Sequence, residues 1–298
     1  MLEVNFLGHR FKNPLIGASG TFGFGEEFEP YFDPGILGGI ATKGLTLEPR
    51  SGNPGTRIYE TPMGIMNSIG LQNPGVEAFV EKEYPRMKKY GTEILANVGG
   101  STMETYKQAV EKINETDIPF IELNISCPNV KAGGMAFGIQ CQSAEMIVSE
   151  IRKYTDKKLI IKLSPNAENI VEMAQTCESA GADALSLVNT FQAMAIDVKK
   201  KAFVFANKTA GLSGPAIRPI ALRMVHDVAH AVKIPVIGLG GISNTEDVLM
   251  FLMAGAKLVE IGTANFIEPR IMPRIIEELE QYVKKEGLSS IEDIIGIL

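Results

Sequence analysis

Eight short apolar runs recur along the chain: LIGAS at 15–19, GGIATK at 38–43, ILANV at 94–98, FIELN at 120–124, LIIKL at 159–163, ALSLV at 184–188, PVIGL at 235–239 and LVEIG at 258–262. Within each run nearly every position is apolar, rather than every second one. That pattern suits strands covered on both faces, as happens when helices cross over between parallel strands. The segments between them agree. Residues 143–156, opening at Ser143 and ending near Asp156, then 167–180 and 218–232, place apolar side chains at helical spacing. Eight strand–helix units in 298 residues predict a single (β/α)8 barrel domain over 1–298. A doubly wound open sheet is the alternative arrangement of the same elements.

Three stretches, 44–74, 125–142 and 189–217, exceed the 2–6 residues usual for such connections. Each follows a predicted strand, so in a barrel all three rise from the C-terminal face, where active sites are built. They are expected to form the walls and lid of a pocket.

Composition narrows the function. A net charge of −6 argues against a nucleic-acid partner, which calls for clustered Lys and Arg. The one basic run, Lys199-Lys200-Lys201, reads as a solvated turn. The N-terminal stretch carries Glu3 and lacks the apolar core of a signal peptide, and no apolar run reaches the length of a membrane span, so a cytoplasmic protein is expected. Cys127, Cys141 and Cys177 are odd in number and show no CxxC spacing, which suggests neither a disulfide framework nor a metal or cluster site. If this chain handles electrons, they must leave through another molecule.

The polar residues gather at the strand ends: Ser19 after the first, Lys43 at the end of the second, Asn97 in the third, Asn124 ending the fourth, Lys162 in the fifth and Asn189 after the sixth. Buried and unsatisfied, such groups cost several kcal/mol, so as a set they call for a polar ligand. The last two strands run into glycine, in GLGGIS (238–243) and EIGTA (260–264), and Ser243 with Glu246 fits a capping box. Glycine amides at a helix N-terminus bind anions, and the loops after strands seven and eight are the usual phosphate site of barrels. GLSG at 211–214 offers a third set of amides. A flavin mononucleotide fits this layout, with a lysine positioned to offset the charge gained on reduction; a phosphosugar fits the phosphate loops equally.

For moving a proton, the histidines are poorly placed: His9 lies near the N-terminus, and His226 and His230 sit one turn apart on the predicted 218–232 helix. Cys127 and the two lysines remain. Cys127 sits between Asn124 and Asn129 just past a strand end, and a partly ionised thiol, with an ordinary pKa of ~8.5, can take a proton from a carbon acid.

The motifs NISCPN (124–129) with VKAGG, TKGLT around Lys43, MNSIGLQNPG (66–75), ANVGG (96–100), IKLSP (161–165), VNT (188–190), GLSGP (211–215) and GLGGI (238–242) together resemble the dihydroorotate dehydrogenase family. The resemblance implies an FMN-dependent barrel, one FMN per chain, that oxidises dihydroorotate to orotate in pyrimidine synthesis. It implies Cys127 as the base that removes the C5 proton while C6 passes a hydride to flavin N5. Substrate would meet Lys43, Asn67, Asn124, Asn129, Asn189 and Thr190, with backbone around Ile69, Gly70 and Leu71 on its carboxylate. Flavin would meet Ala18, Ser19, Lys43, Asn97, Asn124, Lys162 and Val188, with its phosphate on Gly214, Gly240, Gly241, Gly262 and Thr263.

The lid VKAGGMAFG and the N-terminal NFLGHRFKNPLIGASGTFGFG look most like the cytosolic NAD-linked type. That type pairs a homodimer of such chains with an iron–sulfur flavoprotein carrying FAD and a [2Fe–2S] cluster, as a heterotetramer. The fumarate-using type is the nearest alternative. A dihydropyrimidine dehydrogenase-like enzyme would not need Lys43 and Asn67 for a carboxylate, a tRNA-dihydrouridine synthase would need a basic surface, and a scaffold subunit would not take up flavin.

Overall fold

The computed structural model describes residues 1–126 and 138–298; Cys127 and Asn129, with the rest of the 127–137 stretch, lie outside the described residues. Eight parallel strands close into a barrel: β1 (Leu15–Gly17), β2 (Gly39–Ala41), β3 (Glu93–Val98), β4 (Phe120–Asn124), β5 (Lys158–Lys162), β6 (Ala184–Leu187), β7 (Val236–Leu239) and β8 (Ala256–Ile261). Each pairs with its neighbour in sequence, and β8 pairs with β1. All eight predicted runs are therefore barrel strands, and the open-sheet alternative falls. The ladder sets Asn97 on β3 opposite Glu122 on β4, and Lys162 on β5 opposite Ser186 on β6, which brings the polar interior positions to one level.

The outer layer comprises α1 (Met103–Asn114), α2 (Cys141–Arg152), α3 (Ile170–Ser179), α4 (Arg218–Ala229), α5 (Thr245–Met253) and α6 (Ile271–Lys285), with a further helical segment over residues 76–90. Boundaries shift from the sequence reading by a few residues. Asn169 starts α3, accepting hydrogen bonds from the Val171 and Glu172 N–H groups, so that helix begins after 167. The proposed Ser243–Glu246 capping box is corrected: the cap of α5 is Asn244, whose Oδ1 accepts from the Asp247 N–H, while Asp247 accepts from both the Ser243 N–H and its hydroxyl. The device is displaced by one residue, because aspartate one position later reaches back as well as glutamate does. After β1 there is no regular helix, only 3-10 turns at Glu26–Phe28 and Pro34–Ile36; glycines at positive φ (Gly20, Gly23, Gly25) and Pro34 break the run, and Phe22 stacks on Phe28 at 4.1 Å to fill the space.

Strands Val4–Phe6 and His9–Phe11 form a hairpin beneath the barrel, turning at Leu7 and Gly8, both at positive φ as a tight turn requires. Phe6 and Phe11 close on Phe120 at the start of β4, and His9 meets the same ring edge-on. His9 is thus at the foot of the barrel, and His226 and His230 lie on α4 and just beyond it, with exposed side chains. None of the three lines the cavity at the mouth.

Two of the long loops join. Phe191–Met194, Thr209–Ser213, Gly64–Asn67 and Ile58–Thr61 pair in that order as a four-stranded antiparallel sheet, with Met66, Ala195, Phe205 and Ala210 as a small core of its own. Its middle register joins Gly211 to Asn67, 144 residues apart, a pairing that no local periodicity reveals. A smaller pair, Ile196–Asp197 with Ala202–Phe203, carries Lys199–Lys201 at its tip, exposed as the solvated-turn reading expects. No helix among the described residues is long and apolar enough to cross a membrane.

Candidate active site

Between the C-terminal ends of the strands and the antiparallel sheet lies a cavity of about 420 Å³, within the range of small-molecule sites. Ala18, Ser19, Lys43, Asn67, Ile69, Gly70, Leu71, Asn124, Lys162, Val188, Asn189, Thr190, Gly214, Gly240, Gly241, Gly262 and Thr263 all line it. The structure therefore gathers the expected residues from seven strand ends and two loops into one place. Asn97 is not on that lining: it is fully buried behind Gly44, its Nδ2 donating to Glu122 and its Oδ1 without a partner.

Over β7 and β8 the wall is made of backbone. The N–H groups of Gly214, Gly240, Gly241, Gly262 and Thr263 donate to no acceptor among the described residues. Gly241 is at φ +77°, and a Cβ there would stand 2.7 Å from the Gly214 oxygen and 2.9 Å from the Arg218 nitrogen, so only glycine lets these turns nest. The helices α4 and α5 start at this point and add their positive ends. Arg218 is engaged by the buried carboxylate of Asp247, so amides rather than a side-chain cation face the cavity. Converging amides of this kind suit an anion.

A second set of free amides lies across the mouth. Ile69, Gly70 and Leu71 also donate to nothing among the described residues, and Gly70 and Leu71 are both left-handed, at φ +77° and +54°. Leucine in that region is strained by of order 1–3 kcal/mol, and such strain clusters at binding sites. Consecutive N–H groups so arranged form an anion-binding nest. Leu71 packs over Gly44 and Gly99, which follow β2 and β3. In an eight-stranded ring β3 is diametrically opposite β7, so the two anion sites face each other.

Between them are neutral amides and hydroxyls. Asn124 Oδ1 accepts from the Ser126 N–H at 3.2 Å and from Asn189 Nδ2 at 3.4 Å; Asn189 Oδ1 accepts from the Thr190 N–H at 2.8 Å. Asn67 Nδ2 donates to the Gly211 oxygen at 3.4 Å. These long bonds leave donor and acceptor capacity for a ligand. Lys43 has no side-chain hydrogen bond among the described residues; burial lowers its pKa, with Glu27 opposing and Arg57 adding to the effect.

The floor is a buried ionic cluster that the sequence reading missed in part. Lys162 Nζ lies 2.8 Å from Glu260 Oε2 and 3.3 Å from both Glu122 oxygens, at side-chain exposures of 4%, 0% and 0%. Lys162 is thus already partnered, so it did not of itself demand a ligand. Burial alone would lower its pKa, but the two carboxylates hold it above the usual lysine value. The signal for Glu122 and Glu260 was legible: each is the single acid inside a largely apolar strand. Asn166 was also missed; it holds the lid, donating to the Thr190 oxygen and accepting from the Gln192 N–H.

Against known proteins, residues 1–283 match the family model described as dihydroorotate dehydrogenase. The chain is 59% identical over 296 residues, 99% of both chains, to the dihydroorotate dehydrogenase B (NAD(+)) catalytic subunit of Petrotoga mobilis. It is 51% identical to the protein of that name from Bacillus pumilus, over 99% of this chain and 96% of that one. For the Geotalea uraniireducens protein of the same name the figures are 49%, 100% and 98%. A closed parallel barrel, two sets of unpartnered amides at its mouth and these full-length matches together place the chain in the dihydroorotate dehydrogenase family.

Proposed function

We propose that this chain oxidises (S)-dihydroorotate to orotate in pyrimidine synthesis, using one FMN, and that the electrons leave through a partner subunit to NAD+. The observation that carries the reading is the pair of unpartnered amide sets facing each other across one cavity. One suits the cofactor's phosphate and the other the substrate's carboxylate.

The residues present fit FMN. The cradle of Gly214, Gly240, Gly241, Gly262 and Thr263 takes a phosphate, and Thr263 Oγ1, donating to Ser213 Oγ at 2.8 Å, fixes its edge. Ala18, Ser19 and Val188 offer a small, mostly apolar wall for a flat ring, and Lys162 would offset the negative charge such a ring gains on reduction. Asn97, behind Gly44, steadies the floor; its Oδ1 is buried without a partner. When bound, FMN supplies a two-electron acceptor for the hydride from C6.

The chain does the rest. The Ile69–Leu71 nest and Lys43 hold the carboxylate, and Asn67, Asn124, Asn129, Asn189 and Thr190 pair with the amide edges of the dihydropyrimidine. Cys127, following directly on Ser126 at the cavity wall, takes the C5 proton. Asn124 is fixed for its part: Tyr106 donates to its backbone oxygen at 2.7 Å. The antiparallel lid excludes water. Phe266 and Ile267 line the same cavity yet are 53% and 71% exposed; apolar groups left open at a cofactor's edge suit docking of an electron-accepting subunit. In the reading we favour, that subunit is an FAD and [2Fe–2S] flavoprotein, the assembly is a heterotetramer on a homodimeric core, and it works in the cytoplasm.

The test is substrate choice. Under anaerobic conditions dihydroorotate should bleach the bound flavin while dihydrouracil, which lacks the carboxylate, should not. Reduction by dihydrouracil alone would overturn the reading.

A further inference from the structure

The floor cluster holds two carboxyl groups and one ammonium, all nearly fully buried at the base of the cavity that Lys162 and Glu260 line, and its hydrogen bonds are shared unequally. Glu122 accepts from Ser186 Oγ at 2.7 Å, from Asn97 Nδ2 and from Lys162, three donors in all. Glu260 accepts only from Lys162, through Oε2, and its Oε1 is buried without any partner. A carboxylate oxygen with no donor in a dry interior is costly, whereas a carboxyl that carries its own proton is neutral and can donate. Both acids face the one ammonium of Lys162, so with both ionised one negative charge would stand uncompensated in the buried cluster.

We propose that Glu260 is a proton-holding positioning residue: it stays protonated beneath the cofactor site, leaving Lys162 with Glu122 as its one carboxylate partner and its charge turned to the flavin edge. The inference rests on the FMN reading above. The titratable groups facing Glu260 among the described residues are Glu122 on β4 and Lys162 on β5. Its ladder neighbours, Ile16 on β1 and Leu239 on β7, are apolar. Burial and the charge of Glu122 push Glu260 up to about 8. Glu122 is held below its ordinary value, since Lys162 and its donors outweigh burial. The pair therefore shares one proton, and Glu260 is its holder.

The consequence is redox-linked. A hydride brings the flavin two electrons and one proton, and adds negative charge above Lys162. That charge raises the proton affinity of Glu260 further. Below about pH 8 Glu260 already carries its proton, and reduction takes up none there. Above about pH 8 the solvent supplies one, so each reduction is accompanied by a second proton and the slope of midpoint potential against pH doubles.

Two measurements test this. Infrared spectroscopy of the flavin-free protein at pH 7 should show the carbonyl stretch of a protonated buried acid, lost in Glu260→Gln and disappearing in the unaltered protein above about pH 8. Absence of the band, or its persistence in Glu260→Gln, overturns the proposal without touching the FMN reading. Spectroelectrochemistry of the FMN-loaded protein should show the doubled slope, and Glu260→Gln should abolish it. An unchanged break in that variant would also overturn the proposal, while failure to take up FMN would count against the FMN reading alone.

Discussion

Replacing Gly241 by alanine should detach the phosphate from the rest of the cofactor site. The residue is at φ +77°, where an L side chain costs about 1–2 kcal/mol. The new Cβ would stand 2.7 Å from the Gly214 oxygen, 2.8 Å from the Arg218 Cβ and 2.9 Å from the Arg218 nitrogen. Two of those contacts are with backbone, so the turns must part rather than a side chain swing away. The amides of Gly214 and Gly241 then no longer converge. A hydrogen bond to a charged group is worth roughly 1.5–3 kcal/mol, so losing one weakens FMN binding by about 10- to 150-fold. Titration of the flavin-free protein, followed by quenching of flavin fluorescence, gives the affinity. Riboflavin, which has the ring but no phosphate, serves as the internal reference and should bind Gly241→Ala as it binds the unaltered protein. Gly262→Ala is the structural control, since its Cβ meets nothing nearer than 3.6 Å and its φ is ordinary; its thermal stability should not change. Undiminished FMN affinity in Gly241→Ala, or an equal loss for riboflavin, would refute the cradle.

Lys162→Met leaves Glu122 and Glu260 facing each other without a cation, and removal of one partner from such a buried cluster is expected to cost about 3–5 kcal/mol in denaturant unfolding. Stability of the flavin-free protein should fall as pH rises from about 4.5 to about 8: unfolded Glu260 releases its proton near 4.5 and folded Glu260 near 8, so between them only the folded state holds it. Glu260→Gln should flatten that part of the profile, as chemical denaturation at several pH values will show. Asn189→Ala removes a donor to Asn124 and a pairing group for the substrate; we expect KM for dihydroorotate to rise with FMN affinity unchanged, measured by steady-state assay and flavin titration.

The barrel was legible because each buried strand announces itself in a run of apolar residues, independent of its partners. Most of the cavity wall was legible for a related reason: polar residues at the ends of such strands, Lys43 and Asn124 among them, have only the mouth of the barrel to occupy. What escaped depends on contacts between distant segments. The lid sheet pairs Gly211 with Asn67, and each half alone reads as a polar loop. Asn97 and Lys162 were read as ligand-seeking because their partners, Glu122 and Glu260, sit on other strands and meet them only across the closed interior. The cap of α5 moved by one residue because Asn244 and Asp247 compete with Ser243 and Glu246 for the same role, and only the backbone angles decide.

The proposed chemistry turns on Cys127. The FMN-loaded protein and its Cys127→Ser variant, each mixed anaerobically with dihydroorotate at neutral pH, report the rate of flavin bleaching and the orotate formed. A general base contributes typically 10²–10⁴-fold, so bleaching in Cys127→Ser should slow by about that factor with FMN still bound and one orotate formed per flavin reduced. Equal rates in the two proteins, or bleaching without orotate, would contradict it.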